Sequence, residues 1–304
     1  VAVLAATLLA ASVVVFVAMR VLPGDPASLV LGTGARADTL AALRHQMGLD
    51  RPLPLQYARW ALDLLRLRLG QSFTYGVPVS RLVADRVAIT APLAAAATLL
   101  AVAAAIPVGA WAAARRGRPA DALAMGVAQL GMAVPNFWAG LLLILVFAVG
   151  LGWLPAGGFP GWGAPLAALR ALALPAVALA LPQAAVLARV TRGAVVEVLA
   201  EDFCRTARAR GLTRRAVLWR HALPNAMLPV LTILGLQVAF LLAGAVIVEE
   251  VFALPGLGRL LFQAIDQRDL VVVQDLVMLI VATVILANFL VDLLAVALDP
   301  RLRR

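Results

Sequence analysis
The chain has 304 residues, 63% of them hydrophobic, a mean hydropathy of +0.96 and a net charge of +10 carried by 26 Arg and no Lys. Soluble globular domains are about half apolar, so this composition excludes one and indicates a membrane protein. With one Cys, Cys204, and two distant His, His45 and His221, neither a disulfide framework nor a CxxC metal site can form, and no metal centre is expected.

A bilayer core needs about 20 apolar residues per crossing helix. Six segments approach or exceed that length: 1–20, 87–113, 122–150, 171–190, 228–248 and 274–298. The first lacks an A-x-A cleavage site before Arg20, so it reads as a retained helix rather than a signal peptide. It opens at Val1 inside the helix, and a native start upstream of it is expected. Residues 22–86 form an outer region. In it, LPGDPA is a turn whose Asp25 caps a helix at 26–31, and LRHQMGLDRPLPLQYARWALDLLRLRLG gives surface amphipathic helices. Trp60, Phe73 and Tyr75 read as anchors at the membrane interface. The uncharged stretch 122–169 must be a span followed by an outer loop, because LGWLPAGGFPGWGAP is too rich in Gly and Pro to stay helical. The fold class is all-α, a polytopic protein with six transmembrane helices, since lipid-exposed backbone must satisfy its own hydrogen bonds.

Arginine placement orients the spans. Segments 114–121, 189–221 and 299–304 hold 14 Arg against 5 acids, whereas 22–86, 151–170 and 249–275 hold 11 Arg against 10 acids. The positive-inside rule puts the first set, and both termini, in the cytoplasm. Without interleaved aromatics for stacking, the same charge does not describe a nucleic-acid surface.

Enzymatic signatures are missing. A phosphate-binding loop needs a Lys, and neither a G-x-S-x-G elbow nor an H-E-x-x-H occurs. Within the spans, with 249–275 taken as loop, the ionisable residues are Arg20 and Asp292, both near span ends. Asp292 is expected to pair with a cytoplasmic Arg. Polar span residues are costly against lipid, so Gln129, Asn136, Gln183, Gln237 and Asn288 are candidates for a pathway, Gln129, Asn136 and Gln237 foremost. Interhelical hydrogen bonding accounts for each equally well. Gly126, Gly131, Gly140, Gly235 and Gly244 permit close helix packing.

The stretch 201–230, EDFCRTARARGLTRRAVLWRHALPNAMLPV, breaks the apolar pattern with six Arg. Val196, Leu199, Ala200, Phe203 and Ala207 recur at helical spacing and form one apolar face. Glu197, Glu201, Arg205 and Arg208 lie opposite, with Glu201 set to pair with Arg205. Gly211 ends this helix, Thr213 caps a second at 214–222, and Pro224 stops it. Such a helix–glycine–helix corner either rests on anionic lipid or docks on a partner.

Arg205, Thr206, Ala207 and Gly211, followed by His221, Leu223 and Pro224, resemble the EAA signature of ABC-importer permeases, E-A-A-x-x-x-G then I-x-L-P. The departures at Arg205, Thr206 and His221 are similar to the dipeptide, oligopeptide and nickel branch. VLPGDPA (21–27), MGLDRPLPLQYARW (47–60), VPNFW (134–138), VFALPGLGRLL (251–261) and NFLVDLLAVALDPRLRR (288–304) resemble that branch in order and spacing along the whole chain.

The resemblance implies a type I ABC importer permease fold as a single domain over 1–304. This comprises a first span at 1–21, the outer region 22–86 and a five-span core at 87–298 with a coupling loop at 191–227. It implies contact with an ATPase through Glu201, Asp202, Arg205, Thr206, Ala207, Arg208, Gly211, Leu212, His221, Leu223 and Pro224, with Ala207 and Gly211 the tightest. It further implies a second homologous permease subunit, two cytoplasmic ATPases holding ATP and Mg, an external substrate-binding protein and small peptides as cargo. No cofactor is expected on this chain. Nickel complexes are the alternative cargo. A self-sufficient secondary transporter or channel is the alternative class, expected to carry mid-membrane charges or inverted repeats.

Overall fold
The computed structural model describes residues 2–21, 26–31 and 36–298, and all of them are helix, turn or loop apart from one isolated β-bridge, Gln71 to Pro78. Asp25 and the terminal arginines lie outside the described residues, as does the side chain of Asp292. Five helices are long and apolar enough to cross a membrane. The sequence segment 122–150 is instead two helices, Pro119–Ala133 and Asn136–Gly150, bent by 101° and counting as a sixth span if taken together. Pro135 causes the break: it has no N–H to donate, and it holds Val134 extended at ψ 119°.

The chain forms two compact units, residues 1–88 with 259–286, and 89–258 with 287–304. In the first, α1 (Ala2–Val21) meets an amphipathic helix α4 (Leu53–Leu65), which follows the short α2 (Pro26–Leu31) and α3 (Ala37–Met47). Phe16 lies 5.5 Å from the Tyr57 ring and 5.9 Å from Trp60, and Ser12 and Tyr57 share a 2.8 Å hydrogen bond. Trp60 is thus more than an interface anchor: its indole N–H donates to Asp275 Oδ1 at 3.0 Å. Asp275 is nearly inaccessible to solvent and sits inside the last helix, not in a loop.

The second unit is laid around one helix. After α5 (Val79–Ala114), α6 (Pro119–Ala133) and α7 (Asn136–Leu143, continued by a π-helical stretch to Gly150), the chain enters α8 (Pro165–Ala200). At about 1.5 Å per residue, its 36 residues exceed the hydrocarbon thickness and carry it beyond the membrane. Two of its prolines, Pro175 and Pro182, are internal, which a span tolerates when neighbours satisfy the freed carbonyls. Alanines dominate its buried side. A short-segment chain, α9 (Asp202–Ala209), α10 (Arg214–Ala216, continued by a π-helical stretch to Ala222) and α11 (Leu223–Asn225), leads to α12 (Met227–Val251), then α13 (Leu257–Asp266) and α14 (Leu270–Leu298).

Four of the five expected packing glycines are at close approaches. A Cβ at Gly131 would lie 3.2 Å from Ala185, at Gly140 3.0 Å from Phe252 and at Gly235 2.8 Å from Val291, while at Gly244 it would overlap the Asn136 amide. Gly126 faces open space, so its role is not packing within this chain. A close approach of helix to backbone occurs at a glycine outside that set: a Cβ on Gly109 would sit 2.6 Å from the Ala188 carbonyl of α8. Gly109→Ala is therefore expected to destabilise the protein by about 1–3 kcal/mol through overpacking. Gly126→Ala should be neutral or stabilising by up to about 1 kcal/mol. Thermal unfolding of both variants in the same detergent checks the pair.

Candidate functional site
The arginine-rich stretch folds as an elbow at the end of α8. Helix α8 runs to Ala200 and then breaks, because Glu201 is extended (φ −65°, ψ 150°) as the cap residue of α9. The single helix expected from Val196 to Gly211 is thus two helices. The break rotates the buried face: Cys204 and Ala207 are inside, whereas Phe203 is 43% exposed. Glu201 does not pair with Arg205, whose guanidinium instead lies 3.3 Å from Asp202. Thr206 turns its hydroxyl back onto the Asp202 carbonyl at 3.0 Å.

Gly211 has φ +88°, the left-handed conformation that ends a helix, and its N–H reaches the Arg208 carbonyl at 3.0 Å. Thr213 caps the next segment as expected, its Oγ1 accepting from Ala216 N–H at 3.2 Å. Pro224 does not stop that segment. Helical turns continue through Asn225, with the Asn225 amide on the His221 carbonyl at 2.7 Å.

The corner has a small core of its own: Cys204, Ala207, Val217 and Ala222, edged by Val198, Leu199 and Leu212. Ala207 therefore packs inward, against this core. Burial holds the Cys204 thiol above its usual pKa, so it stays protonated and unreactive. Leu218, Leu223 and Ala226 root the elbow against Ala110, Ala113, Ala194 and Val195 at the ends of α5 and α8.

Arg208 is committed to the chain itself. Its Nε donates to the Cys204 carbonyl at 3.2 Å and its terminal nitrogen to the Leu199 carbonyl at 3.4 Å, tying α9 to the last turn of α8. Among the described residues, Arg210, Arg214, Arg215 and Arg220 make no ion pair and face outward. Arg215, Arg220, Thr213, Ala216 and Trp219 line a surface hollow of about 450 Å³.

Sequence reasoning missed two buried carboxylates that tie the helices around α8 and α12 together. Asp121, almost fully buried, takes both the Nε and a terminal nitrogen of Arg192 at 2.5 and 2.6 Å, and also the Gly117 N–H at 3.0 Å. That bidentate pair clamps the start of α6 to α8. Asp121 follows a run of loop arginines in sequence, so only its place opposite Arg192, 71 positions on, reveals it. Glu249 is likewise buried: Thr90 donates to it at 2.6 Å, the Gly258 N–H at 2.7 Å, and the Thr90 hydroxyl accepts from Leu257 N–H at 2.8 Å. This ties the PGLG turn to α12 and α5.

The pathway candidates separate. Gln237 is buried and donates to the Gln183 carbonyl at 3.3 Å, an interhelical bond, and its own Oε1 has no partner among the described residues. Asn136 lies against Gly244, and Gln129 is exposed on α6. Gln183 is buried on α8 and Asn288 partly buried on α14.

Residues 105–304 match the model of the family described as the binding-protein-dependent transport system inner membrane component, and residues 1–94 match its N-terminal counterpart. A protein named as a peptide transport system permease of Brucella abortus (strain 2308) is 42% identical over 97% of this chain and 95% of its own length. The glutathione transport system permease of Salmonella paratyphi A is 42% identical over 98% and 95%. The inward-facing MetNI methionine ABC transporter shares the fold, with a TM-score of 0.59 at 20% identity over 72% of this chain and 96% of that one.

Removing either member of the Asp121–Arg192 pair strands the other. Asp121→Ala and Arg192→Ala should each cost about 3 kcal/mol, the low end for a buried pair because Arg192 is partly exposed, and the double variant should cost less than their sum. Thermal unfolding of the three variants measures the coupling.

Proposed function
This chain belongs to the binding-protein-dependent transport system inner membrane component family, and from that membership we propose that it moves small peptides through the membrane when an ATPase pushes on its arginine-rich elbow. It is a multi-pass permease subunit of the inner membrane, working with an external binding protein and an ATPase. The finer reading has a second homologous permease, two ATPases carrying all the ATP and Mg, both termini in the cytoplasm and no catalysis by this chain. Relatives named for peptide and glutathione transport support peptide cargo over nickel complexes.

One observation carries the coupling role: a corner with its own core at the end of a helix longer than the membrane, showing free arginines outward. An elbow resting on lipid would need no internal core, whereas a part that transmits force must be stiff. Arg210, Arg214 and Arg215 can make charge-assisted bonds to acidic groups at the rim of an ATPase groove. Phe203 and Trp219, exposed beside them, supply apolar area. Asp202, Arg205, Thr206 and Gly211 belong to the docking face. Ala207, Leu212, Leu223 and Arg208 hold that face in shape, and Glu201, His221 and Pro224 set the bends. For the pathway, Gln129 faces outward from α6, where a second permease would meet it, and Asn136 stands at the broken span.

A Cβ at Gly211 meets nothing within 4 Å in this chain, but its positive φ penalises any side chain. Gly211→Ala should cost about 1 kcal/mol of stability with transport nearly retained. Gly211→Asp adds bulk and charge to the docking face and should uncouple ATP hydrolysis from transport in proteoliposomes while the protein still inserts. Normal transport by Gly211→Asp would remove Gly211 from the contact. Thr206→Cys in a Cys204→Ala background should react with a membrane-impermeant maleimide from the cytoplasmic side only, and assembly with the ATPase should protect it. Stimulation of ATPase activity by binding protein loaded with peptide, glutathione or a nickel complex decides the cargo.

A further inference from the structure
The first unit holds a cavity of about 650 Å³ that the transport reading leaves unused. The end of α1, the length of α4 and the start of α14 wall it. Phe16, Met19, Trp60, Leu62 and Val271 give it an apolar side, and Arg20, Arg51, Arg59, Arg66 and Arg68 give it a cationic rim. Among the described residues, two carboxylates, Asp63 and Asp275, face these five arginines, and Asp275 already accepts the Trp60 indole at 3.0 Å. Among the described residues, Arg59, Arg66 and Arg68 form no ion pair. Like charges gathered around an apolar hollow repel one another unless an anion sits between them.

A second observation points into the same space. The Gln56 amide nitrogen donates to the Leu49 and Arg51 carbonyls at 3.1 and 2.7 Å, which fixes the orientation of the amide, and among the described residues the buried Oε1 has no donor. The cavity therefore asks for a ligand with anionic oxygens at one place and a hydroxyl donor at another.

Its position selects the source. Arg20 is in the last turn of the first span, at the level where a headgroup lies. The Phe16, Tyr57 and Trp60 rings cluster there as an interfacial belt does. Helix α4 leaves Leu55, Leu62 and Leu65 at least 49% exposed, with Arg59 and Arg66 spaced four residues beyond Leu55 and Leu62. This is the pattern of a helix lying in the membrane surface, its leucines among acyl chains and its arginines among phosphates.

We infer that this cavity is a binding site for the headgroup of an anionic phospholipid of the phosphatidylglycerol class. Arg59, Arg66 and Arg68 hold the phosphate oxygens, Gln56 Oε1 accepts from a headgroup hydroxyl, and the acyl chains follow the leucines of α4.

The test uses the assembled transporter, delipidated and then offered equal amounts of phosphatidylglycerol and phosphatidylcholine, with retained lipid read by native mass spectrometry. About one phosphatidylglycerol should remain per copy of this chain. Each arginine near a membrane surface contributes enough that Arg66→Gln with Arg68→Gln should lower retention roughly 30-fold. Gln56→Leu, which leaves every charge in place, should lower it about five-fold and covers the case in which the double variant fails to assemble. Equal retention of both lipids, or unchanged retention in these variants, overturns the proposal. Displacement of the lipid by millimolar inorganic phosphate, or by an acidic peptide in its place, overturns the lipid assignment. Transport by the elbow is untouched by any of these outcomes.

Discussion
Small side chains along α8 let neighbouring backbones come close, and in a bilayer that closeness is itself the source of attraction. Lipid tails are as apolar as leucine, so burying apolar surface gains little between spans and packing distance must supply the energy. Gly109 on α5 accordingly meets the Ala188 carbonyl, Gly131 on α6 meets Ala185, and Leu179 lies against Gly244 on α12. The buried clusters repeat this along the helix: Leu172, Ala176 and Leu179 toward one end, Ala180, Leu187 and Ala188 in the middle, Ala194 and Val195 at the other. Beside this apolar packing, the Asp121–Arg192 pair adds a polar clamp between α6 and α8.

The same helix continues into the elbow with only one residue, Glu201, between them. In the proposed coupling role, that continuity joins the docking surface to the helices that part and close during transport. The elbow core is small, but it is sealed on both sides, by Leu212 beyond Gly211 and by Val198 and Leu199 from α8 itself. Its arginines divide accordingly: Arg192 and Arg208 hold the parts together, while Arg210, Arg214 and Arg215 face out.

Much of this was legible in the sequence because it rests on local chemistry. Apolar length marks the spans, Gly211 is needed where the chain turns left-handed, and Thr213 caps the short helix after it. The failures are where tertiary contacts override local pattern. An unbroken 3.6-residue stripe from Val196 to Ala207 hides the extended Glu201, after which Cys204 takes the inward place expected of Phe203. Pro224 looks like a stop, yet the π-helical stretch before it absorbs the missing donor and the helix continues. Glu249 and Asp275 read as loop acids, because nothing nearby in sequence announces Thr90 or Trp60, more than 150 positions away.

The Arg208 side chain, spanning from Cys204 to the end of α8, has a mechanical meaning. A joint made only of an extended residue would bend like a hinge and dissipate whatever displaced it. Cross-braced by Arg208, the joint is closer to a crank welded to its shaft, which is the stiffness the proposed coupling role asks of a part that turns a sideways shove into torque.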